Sequence, residues 1–443
     1  MKARTAVALI LNRLPYPYRN YETVLKRFLD DHSFNQADVD FIQLTVRGII
    51  IYQKLLDFII GSTLQKPIKK LEIAALNLLR LGAFQRVILH TPLHALVNET
   101  VSAARELQRP DLTGLINAVL RHLPSEEIWQ AKIKELPPVE AIATEFSHPV
   151  WLVQRWLANF GAEATRQLLE FNNTYQEIIW RANPLKIDWS ELSANLATEG
   201  YRAKVITEKP VAFFTVNEAG RLIKSTFFQE GLLSVQDYSQ ALVVQLLNPQ
   251  SGETILDVCA APGGKTTYIA QLTGDSARIF AYDIQPDRVA KIALETRRLG
   301  IDSINFEIAD ARQAKFPLAD KILVDAPCTG TGVCARRANL RWNRSESDLA
   351  KLTGQQREIL KNVARYLREG GILVYSTCSL EPEENWEIVE GFVNNNPQFV
   401  IDSAHKYVPE MYCDKYGAIQ VLPFKHKLTG SFAVRLVKTS EIV

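Results

Sequence analysis

The chain has 443 residues, 47% of them hydrophobic and 23% charged, with a formal net charge of +2. That length accommodates two or three domains with substantial cores, and the composition is that of a soluble globular protein. No apolar run approaches the roughly 20 residues needed to cross a bilayer, and five cysteines without a C-x-x-C pair argue against a disulfide scaffold or a zinc ribbon.

The odd cysteine number fits a reducing cytoplasm, with thiols that are functional or buried. The charge is unevenly distributed. Residues 1–125 carry 16 Lys and Arg against 10 Asp and Glu, and the remainder 35 against 39. A basic first domain hints at a polyanionic partner.

From Met1 to about residue 136 the pattern is helical. Val7, Ile10, Leu11 and Leu14 recur at helical spacing, as do Ile42, Val46, Ile49 and Ile50, and Ile116, Val119, Leu120 and Leu123. Prolines and Gly61-Ser62 separate the segments, which predicts an all-α bundle of six or seven helices. The N-terminus carries charges within its apolar stretch and reads as a first helix, not a signal peptide. His90 and His94 do not form a metal face, because Pro92 breaks the helix their spacing requires, and no metal site is predicted. Residues 137–226 read as a small α/β linker module. There Arg181 and Asn183 either touch a phosphate backbone or end a solvated strand.

From residue 227 to 443 strands and helices alternate. Thr254–Cys259, Ala277–Asp283, Ile304–Asp310, Lys321–Pro327 and Gly371–Cys378 read as five buried strands, and helix-length segments between them imply a doubly wound, mostly parallel, Rossmann-like sheet. Two further strand candidates, Gly417–Pro423 and Gly430–Val437, close the chain. After the first strand comes Cys259-Ala260-Ala261-Pro262-Gly263-Gly264-Lys265, a tight glycine turn that opens a helix. The first glycine of a phosphate loop is replaced by Cys259, and a dinucleotide fingerprint is absent. The remaining reading is S-adenosyl-L-methionine, held by backbone approach and by carboxylates at successive strand ends: Asp283 for the ribose, Asp310 for the adenine amino group, and Asp325.

Methyl transfer to an exocyclic amine would call for an N/D-P-P-Y type motif after the fourth strand. Here Asp325-Ala326-Pro327-Cys328 stands in its place, with Thr377-Cys378-Ser379 after the fifth. Two thiols suggest transfer to carbon 5 of a pyrimidine, where a thiolate adding at carbon 6 makes carbon 5 nucleophilic and Asp325 assists at ring nitrogen 3. The chemistry alone leaves open which thiol attacks. Arg336, Arg337, Arg341 and Arg344 around Trp342 read as an RNA-contact loop, pairing phosphates beside a stacking platform.

The segments Leu71–Val87, TPLHALVNETV and GLINAVLRHL resemble the helical RNA-binding domain of NusB. The motifs LLSVQDYSQALVVQLL, DVCAAPGGKTT, DAPCTGTG and YSTCSLEPEEN are very similar to RNA 5-methylcytosine methyltransferases of the Nol1/Nop2/Sun class. With the NusB-like front, they resemble its bacterial RsmB (Fmu/Sun) type over essentially the whole chain. The terminal strand pair suits a class I methyltransferase sheet. The resemblance implies methylation of 16S ribosomal RNA, unassembled, by a cytoplasmic monomer. It also implies that Cys378 attacks, that Cys328 assists release, and that the glycine loop with Asp283, Asp310 and Asp325 holds the cofactor. The same chemistry on transfer RNA or another ribosomal site, and a non-catalytic assembly factor, are the competing readings. Thr329 departs from the family's usual serine.

Overall fold

The computed structural model describes residues 1–440. The chain separates into two compact units, Met1–Thr174 with Cys334–Ser345, and Tyr175–Val333 with the chain from Glu346 onward.

The first unit is helical. Helices Ala3–Asn12, Gln36–Gly61, Ile73–Val87, Leu93–Glu106 and Thr113–Arg121 share one core. The predicted stripes supply it: Val7, Ile10, Ile42, Val46, Ile49, Ile50, Ile116 and Leu120 are fully buried. Asn35 starts the helix Gln36–Gly61 by accepting the Asp38 N–H at 2.8 Å, which satisfies an amide the first turn leaves open. That helix passes Ile73–Val87 so closely that a Cβ on Gly48 would stand 2.3 Å from Phe84 Cζ. A charged group enters the same core as a matched pair: buried Arg80 donates twice to Asp57, each at 2.7 Å, and once to the Tyr18 hydroxyl at 3.0 Å.

The excursion Cys334–Ser345 belongs to this unit, and here the structure corrects the predicted RNA-contact loop. Arg341 is fully buried. Its guanidinium donates to the Asn172 carbonyl at 2.8 Å, to Asn173 Oδ1 at 2.7 Å and to the Ser147 carbonyl at 3.3 Å. Trp342 packs against the helical core and donates its indole N–H to the Ile50 carbonyl at 2.7 Å. Ala338 lies wholly inside that core, and Asn339 donates to the Tyr18 carbonyl. Arg341 is therefore an anchor, not an RNA contact: a cation with three buried acceptors has no reason to return to solvent, whereas Trp342 is tied to the helical core and stays partly exposed. Arg337 is exposed, and Arg336 and Arg344 are partly so.

In the second unit, strands β1 (Trp180–Ala182), β2 (Ala203–Thr207), β3 (Phe213–Val216) and β4 (Leu233–Val235) form an antiparallel sheet in the order β2-β3-β1-β4. β4 lies past residue 226, so this small sheet runs further along the chain than the turn signals suggested. Arg181 and Asn183 are both buried, against the phosphate and the solvated readings alike. Arg181 donates to the Gly264 carbonyl at 2.8 Å and to Thr267 Oγ1 at 2.9 Å, and burial pushes its pKa down to about 10. Asn183 donates to the carbonyls of Gly231 and Leu299.

The larger sheet contains β5 (Thr254–Asp257), β6 (Arg278–Asp283), β7 (Ile304–Ile308), β8 (Ala319–Asp325), β9 (Leu367–Thr377), β10 (Phe399–Asp402), β11 (Ile419–Val421) and β12 (Ser431–Lys438). Its order is β10-β12-β9-β8-β5-β6-β7, with β11 on β12. β5 to β9 pair in parallel, and β10, β11 and β12 are antiparallel additions. The Rossmann-like prediction holds. One detail differs: β7 is the sheet edge and exposes Phe306 and Ile308, so the run predicted as buried has only one paired flank. β10, which the sequence did not disclose, is a four-residue strand after Asn394-Asn395-Asn396-Pro397. The chain leaves β5 for β6 on one side and meets β8 on the other, which makes the β5/β8 gap the topological switch point where ligands of such sheets bind.

Candidate active site

Parallel pairing brings the two cysteines together. In the β8–β9 register Asp325 stands opposite Ser376, so the loops leaving both strands begin at one level of the sheet edge. Cys328 and Cys378 follow within three residues, and their sulfurs lie 3.3 Å apart, both thiols half-buried. The glycine-rich turn permits the approach. Gly332 donates its N–H to the Cys378 carbonyl at 3.0 Å, and its own carbonyl accepts from Gly430 at 2.8 Å. A Cβ on Gly332 would stand 2.8 Å from both the Cys378 oxygen and the Gly430 Cα, so no other residue fits between these backbones.

Asp325 sits beside the thiol pair. One carboxylate oxygen accepts from Lys265 Nζ at 2.7 Å and the other from Ser376 Oγ at 3.0 Å. Lys265, itself nearly buried, also donates to Gln240 Oε1. The loop before Lys265 is tied down by backbone bonds. Ala260 N–H reaches the Tyr282 carbonyl, and Gly263 N–H closes a turn on Ala260. Gly263 adopts φ 102° at the start of the helix Gly264–Leu272, a conformation that favours glycine. Cys259, Ala261 and Pro262 complete the loop.

Asp283, buried at the end of β6, accepts from the N–H groups of Ala261 at 3.3 Å and Gln285 at 3.1 Å, with Arg288 at 3.5 Å. Asp310 follows β7 and is held by Arg312, whose Nε and Nη2 reach its two oxygens at 2.9 and 2.6 Å. That bonding keeps its carboxyl below the usual carboxylate range. Asp257, at the end of β5, is enclosed. Burial raises its pKa to about 7, opposed by the bond from Thr266 Oγ1 at 2.7 Å, and its Oδ1 has no hydrogen-bond partner.

These groups fit S-adenosyl-L-methionine. The lining is carboxylates and backbone around a tight turn, and the one loop cation, Lys265, is turned onto Asp325 and Gln240, away from any role as a phosphate anchor. Asp283 ends β6 and Asp310 follows the adjacent β7 along the sheet edge, and Asp257 is enclosed beneath the turn with one oxygen unpartnered. The bound cofactor supplies a methyl group on a positively charged sulfur, which an acidic, phosphate-free lining suits.

The thiols differ in surroundings. The hydrogen bond with Cys378, then burial, then the charge of Cys378 and after it that of Glu384 push the Cys328 thiol well above its ordinary range. Burial likewise raises Cys259, Tyr375 and Glu384. Sequence reasoning did not assign roles to Glu384, Ser376, Gln240 or Gln356. Glu384 and Ser376 lie inside YSTCSLEPEEN and Gln240 inside SVQDYSQ, so the signal was present as motif without a stated chemistry. Gln356, in the middle of the helix Glu346–Val363, carried none. Among the described residues no group of His, Cys, Asp and Glu is arranged to hold a metal ion, and no helix is long and apolar enough to cross a membrane.

The sequence matches the family model for 16S rRNA methyltransferase RsmB/F over residues 244–437, the NusB family over 1–124 and an RsmF/B-like ferredoxin-like domain over 148–218. It is 32% identical to the probable ribosomal RNA small subunit methyltransferase B of Bacillus subtilis, covering 94% of each chain. It is equally identical to that of Synechocystis over 99% of this chain and all of the relative. The crystal structure of PH0851 superposes with a TM-score of 0.83 at 25% identity over 99% of each chain. A methyltransferase homologue from Pyrococcus horikoshii gives 0.60 at 26% identity, covering 68% of this chain and 99% of its own. With its helical NusB domain, ferredoxin-like module and methyltransferase sheet, the chain belongs to the ribosomal RNA small subunit methyltransferase B family and uses S-adenosyl-L-methionine.

Proposed function

We propose that this ribosomal RNA methyltransferase modifies carbon 5 of one cytosine in 16S ribosomal RNA through a covalent bond between Cys378 and carbon 6. The observation that carries the reading is the thiol pair, 3.3 Å apart, beside Asp325 at the switch-point edge of the sheet. A methyltransferase acting on an oxygen or an amine has no use for two thiols there.

In the proposed sequence the Cys378 thiolate forms the sulfur–carbon 6 bond and the electrons of the 5,6 double bond move into the ring. Asp325 relays a proton from the Lys265 ammonium, 2.7 Å away, to ring nitrogen 3, which neutralises the charge arriving there, and takes it back as carbon 5 is methylated. Carbon 5, now nucleophilic, takes the methyl group. Cys328 gives up its own proton to water at the half-exposed site, and the resulting thiolate removes the carbon 5 proton. The freed electron pair rebuilds the double bond, and Cys378 leaves with its own pair. A thiol of raised pKa is the stronger base once ionised, which favours Cys328 for this step. The target base must leave its stack to reach the thiols. Asp283, Asp310 and the loop Cys259–Lys265 are assigned to the cofactor, and Arg336, Arg337 and Arg344 remain candidates for phosphate contact.

The family favours 16S RNA as substrate; in the proposed reaction that RNA is unassembled and the enzyme is a cytoplasmic monomer. Mapping 5-methylcytosine in 16S RNA from cells with and without the protein tests the whole reading. One cytosine losing its methyl group in the deletion strain is the expected outcome. An unchanged 16S map with a lost transfer-RNA methyl group would redirect the substrate.

A further inference from the structure

The peptide groups on either side of Cys328 are both held by one buried acid–amide pair. Gln356 Nε2 donates to the Pro327 carbonyl at 2.9 Å, which belongs to the peptide before Cys328, and to Glu384 Oε1 at 3.1 Å. Glu384 Oε1 accepts the Thr329 N–H at 2.8 Å, which belongs to the peptide after Cys328, and Oε2 accepts the Thr329 hydroxyl. Both side chains are wholly buried. The partners offered to Glu384 are donors, which suits the ionised, acceptor-only carboxylate. The same hydroxyl of Thr329 lies 3.2 Å from Ser379 Oγ, next to Cys378, and Tyr375 Oη donates to the Glu384 backbone carbonyl at 2.6 Å.

We propose that Glu384, with Gln356, is a positioning residue for the releasing thiol: it clamps both peptides of Cys328 and so sets its sulfur at hydrogen-bond distance from Cys378. The proposal rests on the reading that Cys328 removes the carbon 5 proton. The clamp has two effects. It fixes the chain on both sides of Cys328, and the buried Glu384 carboxylate, hydrogen-bonded to the peptide that follows, disfavours a second negative charge on Cys328. The thiol is thereby kept protonated while Cys378 attacks, which separates the two roles in time. The charge of Glu384 adds to the causes that raise Cys328; burial pushes the Glu384 carboxyl up, and the donors from Ser379, Thr329 and Gln356 oppose that and hold it ionised. Thr329 has a place here as well: its hydroxyl, like a serine's, serves Glu384 and Ser379 together.

The test uses full-length protein and 16S RNA, with adduct followed on denaturing gels and release followed by single-turnover kinetics. Glu384→Ala should slow release by about ten- to a hundredfold, the scale of a reacting group misplaced by about 1 Å. Covalent adduct should accumulate while cofactor affinity stays within about twofold. Glu384→Gln, which keeps the shape and loses the charge, should fold normally and shift the pH profile of release toward lower pH, and Glu384→Asp should restore part of the rate. Release at the wild-type rate in both Glu384→Ala and Glu384→Gln overturns the clamp, as does a loss that tracks melting temperature and cofactor binding alike. If Cys328→Ala accumulates no adduct, the underlying reading of the thiols fails and the clamp proposal falls with it. An adduct in Cys328→Ala but none in either Glu384 variant rejects the clamp alone.

Discussion

Two consecutive stretches, Asp325–Val333 and Cys334–Ser345, have opposite fates. The first holds Asp325 and Cys328 half-exposed at a sheet edge, where their reactive atoms face a second thiol and a lysine. The second has the more conspicuous side chains for RNA, four arginines and a tryptophan, yet its central pair is tied to the helical unit. Residue type separates them poorly. What separates them is the neighbour: the first stretch is terminated by a parallel strand pair that stops at Asp325 and Ser376, and the second is received by carbonyls at Ile50, Ser147 and Asn172 that need donors. Arginine buried against carbonyls is structure; a carboxylate and thiol left at a strand end are chemistry.

The comparison breaks most sharply at the thiols. Cys378→Ala should lower methyl transfer by about a thousandfold or more, and Cys328→Ala should leave protein bound to RNA, both read by tritium transfer and denaturing gels. The adduct appearing in the Cys378 variant would exchange their roles. In the neighbouring stretch Arg341→Ala should cost about 3 kcal/mol of stability, because three buried acceptors lose a charged donor. Thermal unfolding measures it, and a neutral result would return Arg341 to the list of RNA contacts. Back at the sheet edge, Asp283→Ala should weaken cofactor binding by about 2 kcal/mol, roughly thirtyfold, in calorimetry.

A smaller effect concerns Asp257. Its folded pKa of about 7 stands above the ordinary carboxylate value, so the folded chain holds this proton where the unfolded chain has released it. Its contribution to stability therefore falls as pH rises from about 4 to about 7 and is then level. Asp257→Asn should narrow the difference in melting temperature between about pH 5 and pH 8. The smallest change is Arg337→Ala. Stability should stay within about 0.5 kcal/mol, while RNA affinity falls and its salt dependence weakens by about one counterion. An RNA affinity unchanged in Arg337→Ala would remove Arg337 from the phosphate contacts and leave Arg336 and Arg344 as the candidates in this stretch.

Much of the site was legible from local pattern. The glycine loop announces itself because only glycine takes the turn at Gly263, and strand-end aspartates are visible as acids that stop apolar runs. Glu384 and Gln356 were not legible, since a buried carboxylate and its amide partner look in one dimension like any helix-face or loop residues. Arg181, expected to touch a phosphate backbone or to end a solvated strand, is buried because acceptors distant in sequence receive it, here the Gly264 carbonyl and Thr267.

By itself the sequence determined the alternation of strand and helix after residue 227, the helical periodicity before 137, the cofactor turn and the presence of two cysteines at strand ends. These follow from spacing along the chain, which periodicity and turn chemistry report directly. Only the tertiary structure decided that β8 and β9 lie side by side with Asp325 opposite Ser376, that the two thiols consequently meet, and that Cys334–Ser345 leaves the methyltransferase unit for the helical one. The physical reason is that strand order and burial are set by contacts between residues far apart in sequence. Cys328 and Cys378 are fifty positions apart along the chain and 3.3 Å apart in the fold.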